Sequence, residues 1–320
     1  MHPIPEPLLR GPFTRSSARA AGVSSRVLQG RRFVRIHPGV WRHRDHLMSE
    51  ADWRRAARLA LPADAHLTGI SRLQELGLEF GPLRPLRFVI ARDHHVVLDD
   101  VFVHRTVRLA PTDETGVVVP AAFIAYAARA RAVDLIKVGD WLLHHGHLSP
   151  AAVRDLALAA PWRDGAHESV WVLDHLDARA RSLMESEARA VLSFAGLPAP
   201  DVNGAVDVRE NVEVIGDLVY REQGLVVEYE GAHHQADRAQ YVADLDRYAL
   251  LRSAGVPYVQ VTKEKLSRPR TLVGEVYRAL LACGYTGPPP TFGEHWRQLF
   301  LPVSLAVGPR RSRIRGRAVS

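Results

Sequence analysis

The stretch from Gly216 to His234, GDLVYREQGLVVEYEGAHH, constrains the chain more than any other. Val214–Tyr220 and Leu225–Glu230 are runs rich in β-branched and aromatic residues, and Arg221-Glu222-Gln223-Gly224 between them suits a four-residue hairpin loop. If Tyr220 pairs with Leu225, Asp217 stands directly opposite Glu228. The two-residue period of a strand then puts Glu230 on the same face as Glu228. Opposed residues have Cβ atoms only about 4.5–5.5 Å apart, so three carboxylates are expected to converge at one edge of the hairpin.

Like charges opposed across a ladder destabilise it, and burial disfavours their ionised forms. A divalent cation removes that cost; Mg²⁺ takes one or two carboxylates and keeps waters for phosphate oxygens. Spacing alone serves equally for a solvated outer face carrying ordinary acids. Val226, Val227 and Tyr229 argue for an interior strand, where unpaired acids are rare.

Beyond the hairpin come Tyr241, Asp244, Arg247, Leu251 and Gly255, then the apolar strand Tyr258-Val259-Gln260-Val261-Thr262. Upstream, an amphipathic helix over residues 178–196 carries Met184-Glu185-Ser186 and Arg189 and ends at Gly196. In this order the motifs resemble the DUF559 group over residues 180–282. Those domains are similar to the very-short-patch-repair endonuclease branch of the PD-(D/E)xK, restriction-endonuclease-like fold. The pattern is an acid, a hairpin turn, E-x-D-G-x-x-H, D-x-x-R and a hydrophobic strand. It is met here by Asp217, Glu228, Glu230-Gly231, His234, Asp244 and Arg247. The resemblance implies Mg²⁺ or Mn²⁺ held by Asp217 and Glu228, with Glu230 assisting at the metal or orienting water. His234 becomes general base or leaving-group acid, and Glu185, chosen over Glu187, completes the outer shell. A plain helix ion pair between Glu185 and Arg189 is the competing account of that acid. Two departures stand out. Glu230 replaces the usual Asp, and no lysine fills the K position, where the repair branch uses histidine.

Residues 12–42 read as helix, turn, helix and hairpin. Thr14 and Ser24 or Ser25 are good N-caps, Gly22 and Gly30 are stops, and Arg32-Phe33-Val34-Arg35-Ile36 and Val40-Trp41-Arg42 flank the turn His37-Pro38-Gly39. This is the outline of a winged helix-turn-helix. It also resembles the N-terminal region of AbiEi-type antitoxins through Phe13-Thr14-Arg15, Ala21-Gly22-Val23-Ser24 and Gly39-Val40-Trp41. Duplex DNA is the expected partner, with Ser25, Arg26 and Gln29 in a major groove and Arg31, Arg32 and Arg35 on phosphates. A protein-contact module with solvated arginines fits the same outline.

Charge supports polyanion contact at the ends. Residues 1–60 hold 12 Arg and 4 acids, and residues 301–320 hold 5 Arg and none, in a chain of net charge +7. The 39 arginines against Lys137, Lys263 and Lys265 weaken the total as an argument but not its clustering. The single cysteine, Cys283, excludes an intramolecular disulfide and fits a reducing cytoplasm. No apolar run nears the ~18 residues of a membrane span, and MHPIPEPLLR has no signal-peptide core. His94-His95 and His144-His145 with His147 lack the spacing of a structural zinc site and read as surface or capping residues.

The fold class expected is α/β in the broad sense, an α+β multidomain chain. A winged helix-turn-helix covers 1–85 and a mixed α/β platform 86–176. A restriction-endonuclease-like α/β/α domain spans 178–285, and a basic tail at 300–320 is expected to be disordered. The expected function is Mg²⁺-dependent hydrolysis of DNA phosphodiesters, targeted by the N-terminal module in the cytoplasm without a membrane partner. The alternative is a type IV antitoxin-like transcriptional autorepressor. Its nuclease-like half would be catalytically silent, with a cognate toxin or a second copy of the chain as partner.

Overall fold

The computed structural model describes residues 4–93, 95–209, 212–230 and 249–307. The chain is α+β, with many short helices and three small sheets among these described residues, and divides into two units, Met1–Phe123 and Ile124–Ser320. No helix among the described residues is long and apolar enough to cross a membrane.

The first unit starts where the caps predict. The Thr14 hydroxyl accepts the Ser17 N–H and opens helix α1 (Arg15–Ala20). Gly22, at φ +80°, turns the chain in a conformation that favours glycine. Ser24 then caps helix α2 (Ser25–Leu28). Strands β1 (Phe13–Thr14), β2 (Phe33–His37) and β3 (Val40–His43) form an antiparallel sheet in the order β1-β3-β2. Leu8, Phe13, Ala18, Val23, Leu28 and Phe33 are the buried residues that bind this sheet to the two helices. A capping box between Ser49 and Asp52 begins α3 (Glu50–Ala60).

A second sheet follows, ordered β4-β5-β6, from β4 (His66–Leu67), β5 (Leu86–Ile90) and β6 (Val101–Arg105), with α4 (Gly69–Gln74) between the first two. The expected boundary at 85/86 therefore falls inside a sheet. β4 pairs with β5 across it, so the Pro/Gly-rich residues 81–85 connect elements of one unit. Ahead of β6, Leu98 forms a single bridge to Val101 as the chain turns at Asp99 and Asp100.

Helix α5 (Val119–Ala127) carries the chain into the second unit, where α6 (Ala132–His144), α7 (Pro150–Ala159) and α8 (Ala166–Val172) follow. Helix α9 (Leu183–Phe194), capped by Ser182, lies against α6. Two ion pairs lock them: Arg189 to Asp140 at 2.7 Å, and Lys137 to Glu187. Asp140 is fully buried, and burial pushes its carboxyl above the usual range even with Arg189 and the Asp177 N–H bound to it. This packing joins helices of the expected platform to the expected nuclease region, so 176/178 is no boundary between units.

After α9 run β7 (Asp201–Arg209), β8 (Val212–Tyr220) and β9 (Leu225–Tyr229), neighbours in antiparallel array. Residues 249–253 are helical, and β10 (Tyr258–Val261) then joins β9 in parallel, giving the order β10-β9-β8-β7. A parallel neighbour needs a crossover rather than a tight turn. Helices α10 (Lys263–Leu266), α11 (Pro269–Ala282), α12 (Glu294–Gln298) and α13 (Val303–Ala306) complete the unit. Residues 308–320, most of the expected basic tail, lie outside the described residues.

Candidate active site

The hairpin forms in the expected register. Tyr220 pairs with Leu225, Val219 with Val226 and Leu218 with Val227. Its turn occupies residues 221–224, with Gly224 at φ +61° in the region that favours glycine. One step further, Asp217 meets Glu228. The Asp217 N–H donates to Glu228 Oε1 at 3.3 Å, and Asp217 Oδ2 accepts the Tyr229 N–H at 2.7 Å. Glu228 is wholly buried and Asp217 half-buried. Gly216 makes room for this approach: a Cβ there would lie 2.7 Å from Val226 Cγ1 and 3.4 Å from Glu228 Oε1. Burial and the charges of Glu187 and Glu264 push the Tyr229 phenol up.

Glu230 does not join this pair in the way its spacing suggests. β9 ends at Tyr229, the Glu230 N–H donates to Val261 O at 2.8 Å on β10, and the Glu230 side chain is exposed while Glu228 is buried. Two carboxylates converge rather than three. Among the described residues no group of three or more His, Cys, Asp or Glu could hold a metal ion. Gly231, His234, Tyr241, Asp244 and Arg247 lie outside the described residues.

Glu185 sits in the first turn of α9 and is buried, with its Oε2 accepting the Arg181 N–H at 3.0 Å and Asn203 Nδ2 at 2.9 Å. The simple helix ion pair with Arg189 is not formed, because Arg189 turns to Asp140 Oδ2 and to His175 O. Glu187, the rejected neighbour, is committed to Lys137. Asn203 is a residue that sequence reasoning missed. It lies in β7 between Val202 and Gly204, whose partners are Leu218 and Gly216, and so stands across from Asp217. Neither periodicity nor spacing marks it.

The lysines beyond β10 offer little to a phosphate in this arrangement. Lys265 Nζ donates to Gln260 O at 2.7 Å and pairs with Glu275 at 2.6 Å, while Lys263 opens α10 on the surface. His144 and His145 are exposed at the end of α6: His144 Nδ1 meets Ala178 O at 3.1 Å, and His145 Nδ1 meets Trp141 O at 2.9 Å in the last turn of the helix, while His94 lies outside the described residues.

In the first unit, Arg26, Gln29, Arg31 and Arg35 are exposed and Arg32 is half-buried. Ser25, expected in a groove, is half-buried, and its hydroxyl already accepts Arg15 Nη2 at 2.9 Å. Arg26, Arg31 and Arg35 thus reach solvent, while Ser25 also braces Arg15.

No family model matches the chain. It is 31% identical over 110 residues to an uncharacterized protein of Mycobacterium tuberculosis strain CDC 1551 / Oshkosh, and equally to an uncharacterized protein of strain H37Rv. The match takes in 34% of this chain and spans 41% of the length of each relative. No solved structure matches.

Proposed function

We propose that this chain is a metal-dependent DNA endonuclease of the restriction-endonuclease-like class, brought to duplex DNA by an N-terminal winged helix-turn-helix. The observation that carries the reading is the opposition of Asp217 and buried Glu228 in the second unit. It occurs on a sheet entered by an acid-bearing helix, built from three antiparallel strands and closed by a parallel fourth. Two like charges held this close in a buried hairpin cost stability unless something compensates them. An all-oxygen donor set of two carboxylates suits Mg²⁺ or Mn²⁺, which keep waters for substrate oxygens.

Asp217 and Glu228 would hold the ion. Bound there, it would polarise the phosphodiester and lower the pKa of an attacking water. Glu230, exposed at the end of β9, would orient that water. His234 would serve as general base or leaving-group acid, and Glu185 as the outer acid. Arg26 and Gln29 would meet base edges together with Ser25, and Arg31, Arg32 and Arg35 would meet phosphates. A cytoplasmic setting follows from the DNA substrate.

A second reading is favoured by two observations: among the described residues no third acid is recruited, and Lys265 is spent on Glu275. On that reading the second unit is a silent scaffold in an antitoxin-like autorepressor, whose partner is a cognate toxin or a second copy. Incubating the protein with supercoiled plasmid and mismatched duplex under Mg²⁺, Mn²⁺ and EDTA separates the two. Nicking that needs the metal supports the endonuclease. A salt-sensitive, operator-selective mobility shift without cleavage supports the repressor.

A further inference from the structure

Two non-glycine residues among those described have positive φ: Asp100 at +59° and Asn203 at +50°. Asp100 lies in a turn, where such a conformation is ordinary. Asn203 lies within a strand, where it is not. A left-handed residue persists in a strand only when its surroundings over-determine it, and such residues gather at functional sites.

The surroundings of Asn203 are specific. Its Nδ2 donates both to Arg179 O at 2.7 Å and to Glu185 Oε2 at 2.9 Å. The Arg181 N–H reaches the same Glu185 oxygen at 3.0 Å. The helix acid is therefore gripped from the strand and from the chain entering α9. On the other side, the β7–β8 register sets Asn203 across from Asp217, and the next pair in the ladder is Gly204 with Gly216. No side chain of that adjacent pair intervenes beside the site.

We infer that Asn203 is a positioning residue of the site: it fixes the carboxylate of Glu185 beside the strand that carries Asp217. The inference rests on the metal-dependent reading proposed above. Asn203 does not act on the ion or substrate; it acts through Glu185. Asparagine serves where most residues would not, because it tolerates left-handed φ and supplies two N–H donors from one nitrogen.

The test is calorimetric titration of Mn²⁺ into the full chain and into Asn203→Gly, Asn203→Asp, Glu185→Gln and the double variant Asn203→Gly/Glu185→Gln. Asn203→Gly keeps the backbone at ease and removes the amide. Asn203→Asp keeps size and tolerance of left-handed φ but has no N–H donor when ionised, so it carries the test should the glycine variant fail to fold. Removing an outer-shell partner typically costs about 10–100-fold in metal affinity, and each single variant is expected to lose that much. The double variant is expected to bind no more weakly than Glu185→Gln alone, which a merely structural role would not produce. If the parent binds Mn²⁺ and Asn203→Gly and Asn203→Asp bind it as tightly, or if the losses multiply in the double variant, the positioning role is overturned and the metal reading stands. If the parent takes up no Mn²⁺, the metal reading falls and this inference with it.

Discussion

Asp217→Asn separates a metal-holding role for the acid pair from a structural one, because it removes one charge and changes almost no shape. The side-chain oxygen that accepts the Tyr229 N–H at 2.7 Å has an equivalent in the amide, and the main-chain N–H that donates to Glu228 Oε1 is untouched. What disappears is the repulsion between two opposed carboxylates, a cross-strand effect of about 0.2–1 kcal/mol. In EDTA near neutral pH the variant should melt at or slightly above the parent. With Mn²⁺ at about ten times its dissociation constant, the parent gains about 1.4 kcal/mol by linkage. That corresponds to about 3–6 °C for a body of this size. The variant should gain little or nothing, so the order of melting temperatures reverses between the two conditions. Differential scanning calorimetry with an EDTA arm and a Mn²⁺ titration reads both effects without any substrate. A parent unmoved by Mn²⁺, together with a variant plainly destabilised in EDTA, would show that these acids are structural.

The paired substitution Arg31→Glu/Arg35→Glu should weaken duplex binding and flatten its salt dependence by about 0.9 in the log–log slope for each phosphate no longer neutralised; an unchanged slope in fluorescence anisotropy would take these arginines off the phosphates. Arg189→Met strands the fully buried Asp140 and should cost about 3–5 kcal/mol by urea unfolding. Burial already raises the Asp140 carboxyl, and such a group favours the folded state below its unfolded pKa and loses that contribution as pH rises through the folded one. The penalty should accordingly be larger at about pH 8 than at about pH 5, and a pH-independent loss would contradict the buried-charge account. His234→Ala should slow cleavage by about 10²–10⁴-fold while His233→Ala leaves it largely intact; equal losses in a single-turnover assay would refute the assignment of the proton-transfer role to His234.

The hairpin was legible because period, turn length and register all point one way, and the register alone brings Asp217 to Glu228. The caps at Thr14 and Ser24 were equally legible, each being a local side-chain-to-backbone bond. What failed was non-local. β7 went unread because it follows Pro198 and Pro200 and is interrupted by Asn203-Gly204, both poor strand formers. The expected boundary at 85/86 lies at a Pro/Gly-rich stretch, yet a sheet closes around it. Glu230 is exposed just past Tyr229, where β9 ends, a limit that spacing within one strand does not encode. Arg189 chose Asp140 over Glu185 because α6 lies against α9, a packing visible only once the chain is folded.

The endonuclease reading is tested most directly by single-turnover cleavage of one plasmid substrate by the parent and by Glu228→Gln, side by side in Mn²⁺ and in EDTA. Glu228 is the buried member of the pair, and its replacement keeps the shape of the side chain while removing its charge. The parent should nick the plasmid in Mn²⁺ and not in EDTA, and Glu228→Gln should nick it in neither. Cleavage by Glu228→Gln at the parent's rate, or none by the parent in Mn²⁺, would contradict the account.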